Sequence, residues 1–453
     1  MIDRRTVVII ILVIVTALAA GGYWLLTPKI VSILPDLDAT DVFQNTPIQI
    51  TFSAAIKPEG VEKLLVMDPN TTGIFQVIGN TLVFTPSVPW EQDQIVKVTV
   101  LPGIKSTLGL PLITGRTWQF TTRHPWLLFQ LDDNTHSDVY SVDPKGLVVT
   151  KLDTDSGSIL DYTITADHQL YYSTVLPPDG SIIRKLNMLD QSVEDISTCP
   201  NAVCTQLRIS PDLNHLIYHK ADRSGTSGTA PALWMQKLSG GKPEGEPVLT
   251  GIKDHITRDP SWSSSGWLAF YDETSVAFQF YYPPSGQRVS LANDTGEPGS
   301  WSADGTTYAA PDINYSTGQA NTPLYFSQIL LYSPQNSTTS ELTSDNRMED
   351  LLPTFSPVGN QLVLARRFLN AENWTPGRQL WAMNGDGTNP RPLTNSAVDN
   401  HLGFAWSPNG DLLTYLRFNT ASLTGGRELW LMDMAKGTSE KILMDAYNLQ
   451  WLP

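Results

Sequence analysis

The sequence predicts an all-β protein: a small β-sandwich followed by a seven-bladed β-propeller, preceded by one N-terminal transmembrane helix. Three observations predict it. An uninterrupted apolar run fills residues 6–26. Apolar residues alternate at period two in short stretches across 31–123. A paired-strand unit recurs through 124–453.

The composition agrees. The 32 glycines and 32 prolines make up about one residue in seven of 453, a density that long helical bundles and coiled coils avoid. The length suits two or three domains. The 45 acidic against 30 basic residues give a net charge of −15. That balance argues against a nucleic-acid partner, because phosphate binding needs clustered Lys and Arg. The 13 Trp, 15 Tyr and 14 Phe exclude global disorder.

Residues 1–5 read as a short cytoplasmic tail and residues 6–26, TVVIIILVIVTALAAGGYWLL, as a membrane span. A helix of this length is about 31 Å long, close to the hydrocarbon thickness of a bilayer. Arg4 and Arg5 precede it, so the positive-inside tendency keeps the N-terminus cytoplasmic and exports everything after Lys29. The alternative is a cleaved signal peptide, with Ala17-Leu18-Ala19 as the cleavage site. The apolar stretch continues past that site to Leu26, which favours an uncleaved anchor. Either way the bulk of the chain is extracytoplasmic. The two cysteines, Cys199 and Cys204, enclose a turn-like Pro200-Asn201-Ala202-Val203. An oxidising compartment permits a disulfide there. Half a metal site is the other reading, but no His or Cys nearby in sequence completes it.

In residues 31–123, Ile48, Ile50 and Phe52 alternate with polar partners, as do Leu82 and Phe84. Ile95 to Val100 and Thr117 to Thr121 have strand composition, and turn clusters such as DPNTTG and PGIKSTLGL separate the strands. Several short strands in about 90 residues indicate a sandwich. The stretches ATDVFQNTPIQITFSAAI, NTLVFTP, VTVLPGIKSTLGLPL and TWQFTTR resemble the bacterial Ig-like domain of the SbsA type. The resemblance implies a spacer or adhesion module without catalysis.

In residues 124–453, one unit pairs an aromatic or aliphatic strand end with a Ser-containing turn and a second strand. It reads LRISPDLNHLIYH at 207–219, PTFSPVGNQLVLAR at 353–366 and FAWSPNGDLLTYLR at 404–417. Aligned on Thr165, Ser210, Ser263, Ser302, Ser356 and Ser407, the copies step by 45, 53, 39, 54 and 51 residues, the range of propeller blades with variable loops. A second unit, as in QLWAMNGDGTNPRPLT and ELWLMDMAKGTSEKIL, occurs seven times. The chain ends in AYNLQWLP, where Trp451 takes the aromatic position of Trp262, Trp301 and Trp406. The C-terminus is therefore expected to supply the innermost strand of the first blade, beside WLLFQL at 126–131, leaving no open edge around the ring. ISPDLNHLIY, FAWSPNGDLLTYLR and LWAMNGDGTNPRPLT resemble the TolB-type β-propeller family. That resemblance implies protein or peptide binding at one face or in the central channel, and implies no reaction.

Catalytic and metal motifs are missing from the sequence. There is no Gly-x-Ser-x-Gly elbow, and the repeat serines are turn residues by position. His215 and His219, four apart on a strand, project about 13 Å from each other, too far to share a metal. Asn384 to Asn389 lacks the terminal Glu and flanking helices of a calcium loop and reads as a hairpin turn. No cofactor is expected. One constellation remains: the segments entering the innermost strands carry Asp161, Asp259, Glu297, Glu349, Asp350, Asp399 and Asp445, with Arg208, Arg258 and His401. A ring of such groups at one channel mouth would attract cations or basic peptides, although charged loop residues are more often simply solvated. The expected function is a membrane-anchored, non-enzymatic scaffold whose partner is a protein, peptide or cell-envelope polymer. The alternative is a propeller enzyme acting on glycans through the channel carboxylates.

Overall fold

The structure is a computed structural model. It describes residues 26–452 except 45, 89, 124, 134–135, 145, 153–156, 189, 224–229, 318–322, 397 and 423–424. The expected cytoplasmic tail and all of the expected span but Leu26 lie outside the described residues. Among the described residues no helix is long and apolar enough to cross a membrane. The chain divides into two compact units between His124 and Pro125.

The first unit is a sandwich of two four-stranded sheets. One holds Ile30–Leu34, Ile48–Phe52, Thr81–Pro86 and Gly73–Ile78 in that spatial order; the other holds Ala39–Val42, Arg116–Thr122, Ile95–Val100 and Leu65–Asp68. The period-two pattern becomes burial directly. Ile48, Ile50, Phe52, Leu82, Phe84, Val96, Val98, Trp118 and Phe120 form one core, while their sequence neighbours face outward. Trp90 sits edge-on to Phe120, with ring centroids 5.2 Å apart.

The second unit is seven antiparallel sheets, one per blade. The innermost strands of blades 2 to 7 are Ile159–Ile164, Ala202–Ile209, Thr257–Trp262, Ser300–Trp301, Met348–Phe355 and Asp399–Trp406. The innermost strand of blade 1 is Tyr447–Leu452, from the C-terminus. It pairs antiparallel with Trp126–Asp132, setting Trp451 opposite Leu127 and Leu452 opposite Trp126. The two chain ends of this unit are thus joined by a ladder within one sheet. The Tyr447 hydroxyl reinforces the joint, 2.6 Å from both the Ser137 hydroxyl and the Asp132 carboxylate.

Each repeat serine closes a hairpin. The Ser407 backbone N–H donates to the Leu412 carbonyl, and the Ser407 hydroxyl accepts from the Leu412 N–H, both at 2.9 Å. Ser210 and Ser302 do the same with His215 and Thr307. Gly410 ends one such turn at φ 74°, and a Cβ there would meet Val358 and Ser356 of the preceding blade. Glycine is needed there for the backbone angle and for the close approach of blades.

The strand-end tryptophans stitch neighbouring blades. In three of the four the indole N–H donates to a carbonyl of the preceding blade at 3.1 Å: Trp301 to Ser261, Trp406 to Thr354, Trp451 to Ala405; the Trp262 indole N–H is buried without such a partner. The acceptor is always the residue just before the equivalent strand-end position. One side chain therefore fills the wedge between blades and satisfies a buried donor. Replacing Trp406 by Ala should lower the unfolding free energy by about 3–5 kcal/mol, whereas Phe, which keeps most of the packing, should cost about 1–2 kcal/mol. Urea unfolding of the two variants checks the order.

Candidate functional site

The candidate residues stand on the innermost strands, and a shared backbone irregularity positions them. Six of these strands carry a register shift. In five of them the bulge holds one residue in the left-handed region: Gln206, Asp259, Leu352, Gly403 and Asn448, with φ between 50° and 62°. Each lies three residues before the strand-end residue Ile209, Trp262, Phe355, Trp406 or Trp451. Such a bulge kinks the strand and re-aims its side chains.

In blades 1 to 4 the side chains at this level form a belt between blades. Asn448 Nδ2 donates to Asp161 Oδ1 and to Gln130 Oε1, both at 2.8 Å. The other Asp161 oxygen accepts from the Leu207 N–H at 2.7 Å. Gln206 Oε1 accepts from the Asp259 N–H at 2.8 Å, and its amide donates back to the Asp259 carboxylate at 3.3 Å. Burial pushes the Asp161 carboxyl above its ordinary range, opposed by the Arg208 charge and these hydrogen bonds. Gln206, Gln130 and Asn448 were not singled out from the sequence. The signal that finds Gln206 and Asn448 is the position three residues before each innermost strand end, compared blade by blade; Gln130, on the second strand of blade 1, carries no such signal.

The remaining candidates pair mainly within their own or the next blade. Arg258 donates to Asp259, to Glu273 at 2.6 Å and to the Gly296 carbonyl at 2.9 Å. Arg208 donates to the Leu207 carbonyl at 2.6 Å. Asp350 and Arg366, both buried, form a bidentate pair at 2.7 and 2.8 Å. Glu349 Oε2 accepts from Arg367 at 2.5 Å and from Arg378 at 2.7 Å. Asp399 lies 3.5 Å from Arg417, which also holds Glu428 at 2.7 Å. Burial raises the Glu428 carboxyl, but hydrogen bonds from Lys441, Trp430 and Arg417 outweigh it and hold the group at about 2. His401 is buried and donates from Nδ1 to the Arg378 carbonyl at 2.8 Å; burial lowers its pKa. Glu297 and Asp445 lie in loops and are exposed. Asp445 Oδ1 accepts from the Arg427 N–H at 3.1 Å. The structure therefore gathers these residues on the innermost strands or next to them, with eight of the ten inside strands rather than in entering loops. Most of their charges are already matched by protein groups.

Cys199 and Cys204 are bonded to each other, with Cα atoms 6.3 Å apart, tying the outer strand of blade 2 to the innermost strand of blade 3. Among the described residues no cluster of His, Cys, Asp and Glu could hold a metal.

Strand direction defines two ends of the propeller. The serine turns lie at one end; the starts of the innermost strands and the hairpins joining second to third strands lie at the other. That second end carries exposed apolar side chains on several blades: Ile252, Ile256, Val276, Tyr315, Tyr325 and Trp374. Tyr315 and Tyr325 stand opposite each other near the tip of the blade 5 hairpin, edge to face at 5.5 Å and about 60% exposed. This hairpin, Tyr308–Thr317 with Pro323–Ser333, runs well past the two residues its innermost strand pairs. The serine-turn end carries fewer such residues among those described, Val148, Val149, Val193 and Val358, and no aromatic among them.

Asp350→Ala leaves the buried Arg366 unpaired and should cost about 3–5 kcal/mol. Asp350→Leu combined with Arg366→Met should recover most of that loss. Denaturant unfolding of the two variants measures both.

No curated protein matches the chain. Among solved structures, one from a structural and mechanistic analysis of two prolyl endopeptidases is 11% identical with a TM-score of 0.50. The match covers 80% of this chain and 50% of that one, and shows likeness of fold alone. TolB from Acinetobacter baumannii is 11% identical, with 94% of this chain and 99% of that chain covered and a TM-score of 0.43. An oligogalacturonate lyase from Vibrio parahaemolyticus is 12% identical, with 64% and 74% covered and a TM-score of 0.41. Residues 26–122 match the family described as a bacterial Ig-like domain. The chain thus joins a bacterial Ig-like domain to a seven-bladed β-propeller.

Proposed function

We propose that the protein is a non-enzymatic scaffold, anchored in the membrane by residues 6–26, that presents one end of its propeller outside the cytoplasm. The Ig-like domain serves as a spacer. The partner is a protein, peptide or cell-envelope polymer. The observation that carries this reading is the bias of exposed aromatic and aliphatic side chains, led by Tyr315, Tyr325 and Trp374, to the end where the innermost strands begin. Exposed apolar groups gathered on one face mark interaction sites, and large aromatics supply most of the energy at such surfaces. Glu297 and Asp445 add exposed negative charge at the same end.

A glycan-active enzyme would need two carboxyls free to act as acid and base or nucleophile. Asp161, Asp259 and Asp350 are each engaged by protein donors, which favours a binding role. The test is affinity capture from the protein's own membranes after cross-linking. Tyr315→Ser/Tyr325→Ser/Trp374→Ser should reduce partner recovery about tenfold or more, and Val148→Ser/Val358→Ser, at the other end, should not. Equal recovery by both variants contradicts the reading.

A further inference from the structure

The edge strands of the two units are not built alike. In the propeller, the outermost strand of each blade either is two residues long or holds a charged side chain. In the sandwich, Ala39–Val42 and Leu65–Asp68 are four residues long and carry Asp41 and Asp68, and Ile30–Leu34 has a register shift. Short length, charge and bulges are the devices that keep a sheet edge from pairing with another chain. The fourth sandwich edge, Gly73–Ile78, has none of them. It is six residues long, GIFQVI, with no charge, no proline and no register shift. Among the described residues only Thr81–Pro86 pairs with it.

The hydrogen-bonding pattern tells which backbone groups face the open side. The Phe52 N–H donates to the Asn80 carbonyl at 2.8 Å. The backbone groups of Leu82 and Phe84 therefore face Ile48–Phe52, and those of Thr81, Val83 and Thr85 face Ile78, Gln76 and Ile74. The N–H and C=O groups of Phe75 and Val77 are left pointing away from the sheet. On its outer face the strand shows Ile74 and Ile78, 61% and 66% exposed, with the exposed Gln76 between them. On its inner face Phe75 and Val77 are half-buried against the sandwich core, and the Phe75 ring lies 4.9 Å from that of Phe84.

This pattern reads the same from either end: Ile, apolar, Gln, apolar, Ile. An antiparallel copy related by a twofold axis through Gln76 sets Ile74 opposite Ile78, Phe75 opposite Val77 and Gln76 opposite Gln76. Phe75 and Val77 of the two copies then exchange four backbone hydrogen bonds, the isoleucines cover one another, and each Gln amide, donor and acceptor at once, meets its equivalent. The strand has no charge with which to select a foreign segment. We propose that Gly73–Ile78 pairs antiparallel with the same strand of a second copy of this chain, joining two four-stranded sheets into one of eight. A strand pair this short buries less than the roughly 1,200–2,000 Å² of a stable interface, so the association is weak and is read by trapping.

Disulfide trapping of the full-length protein under mild oxidation tests the pairing and its register. The chain's own cysteines are bonded to each other and do not compete. Gln76→Cys should give a linked dimer, because the two positions 76 form a non-hydrogen-bonded pair with Cα atoms about 4.5 Å apart. Ile74→Cys and Ile78→Cys each lie about 13 Å from their own equivalents. Either alone should give about tenfold less dimer, and a mixture of the two should link 74 to 78. Adding Ile74→Lys/Ile78→Lys to Gln76→Cys sets like charges opposite each other at exposed positions and should cut the yield about tenfold. No dimer at 76, equal linking at 74, 76 and 78, a mixture that does not link, or an unchanged yield in the lysine variant overturns the proposal. So does an adduct of Gln76→Cys with another protein in place of the dimer when the variant is oxidised in the cells that express it.

Discussion

A propeller blade is a sheet with two apolar faces and cannot bury both alone. The ring must therefore close, and in this chain closure depends on one ladder, between Tyr447–Leu452 and Trp126–Asp132. The same strand delivers Trp451 to the Ala405 carbonyl of blade 7 and Gln450 to the Tyr162 carbonyl of blade 2. It also brings Asn448 to Asp161. Six residues thus connect the last, first and second blades. Their loss would uncover faces that include Leu127, Phe129, Leu429 and Leu431.

The charged residues of the innermost strands are best understood through that same requirement. Inner strands crowd around an axis, and their polar groups cannot all reach water. The bulges turn side chains toward the next blade, where Asp161, Gln206, Asp259 and Asn448 satisfy one another across three blade boundaries. In blades 6 and 7 the corresponding bulge residues are Leu352 and Gly403, which offer no polar side chain. There arginines on the second strands, and Arg378 just before the third strand of blade 6, take over, through Arg366–Asp350, Arg378–Glu349 and Arg417–Asp399. A channel with matched charges leaves recognition to the parts that vary between blades, namely hairpins, entry loops and rims.

How much of this was legible in the sequence depends on the range of the interaction. Serine turns and strand-end aromatics are local and recur, so Ser407, Trp406 and the returning Trp451 could be read directly. The sandwich core followed from alternation at Ile48, Ile50 and Phe52. The belt was not legible, because its partners lie far apart in the chain: Asp161 meets Asn448 across 287 residues. Left-handed backbone at Gln206, Asp259, Leu352 and Asn448 also runs against the usual preference for glycine, so composition gave no hint of the bulges.

Closure is the claim on which the rest stands, and amide hydrogen exchange resolved by mass spectrometry tests it most directly. The account predicts that the amides of Tyr447–Leu452 paired to Trp126–Asp132 exchange as slowly as those of Asp399–Trp406, a mid-chain innermost strand in the same kind of sheet. Exchange of the C-terminal strand at the rate of a frayed tail, with Asp399–Trp406 still protected, would contradict it.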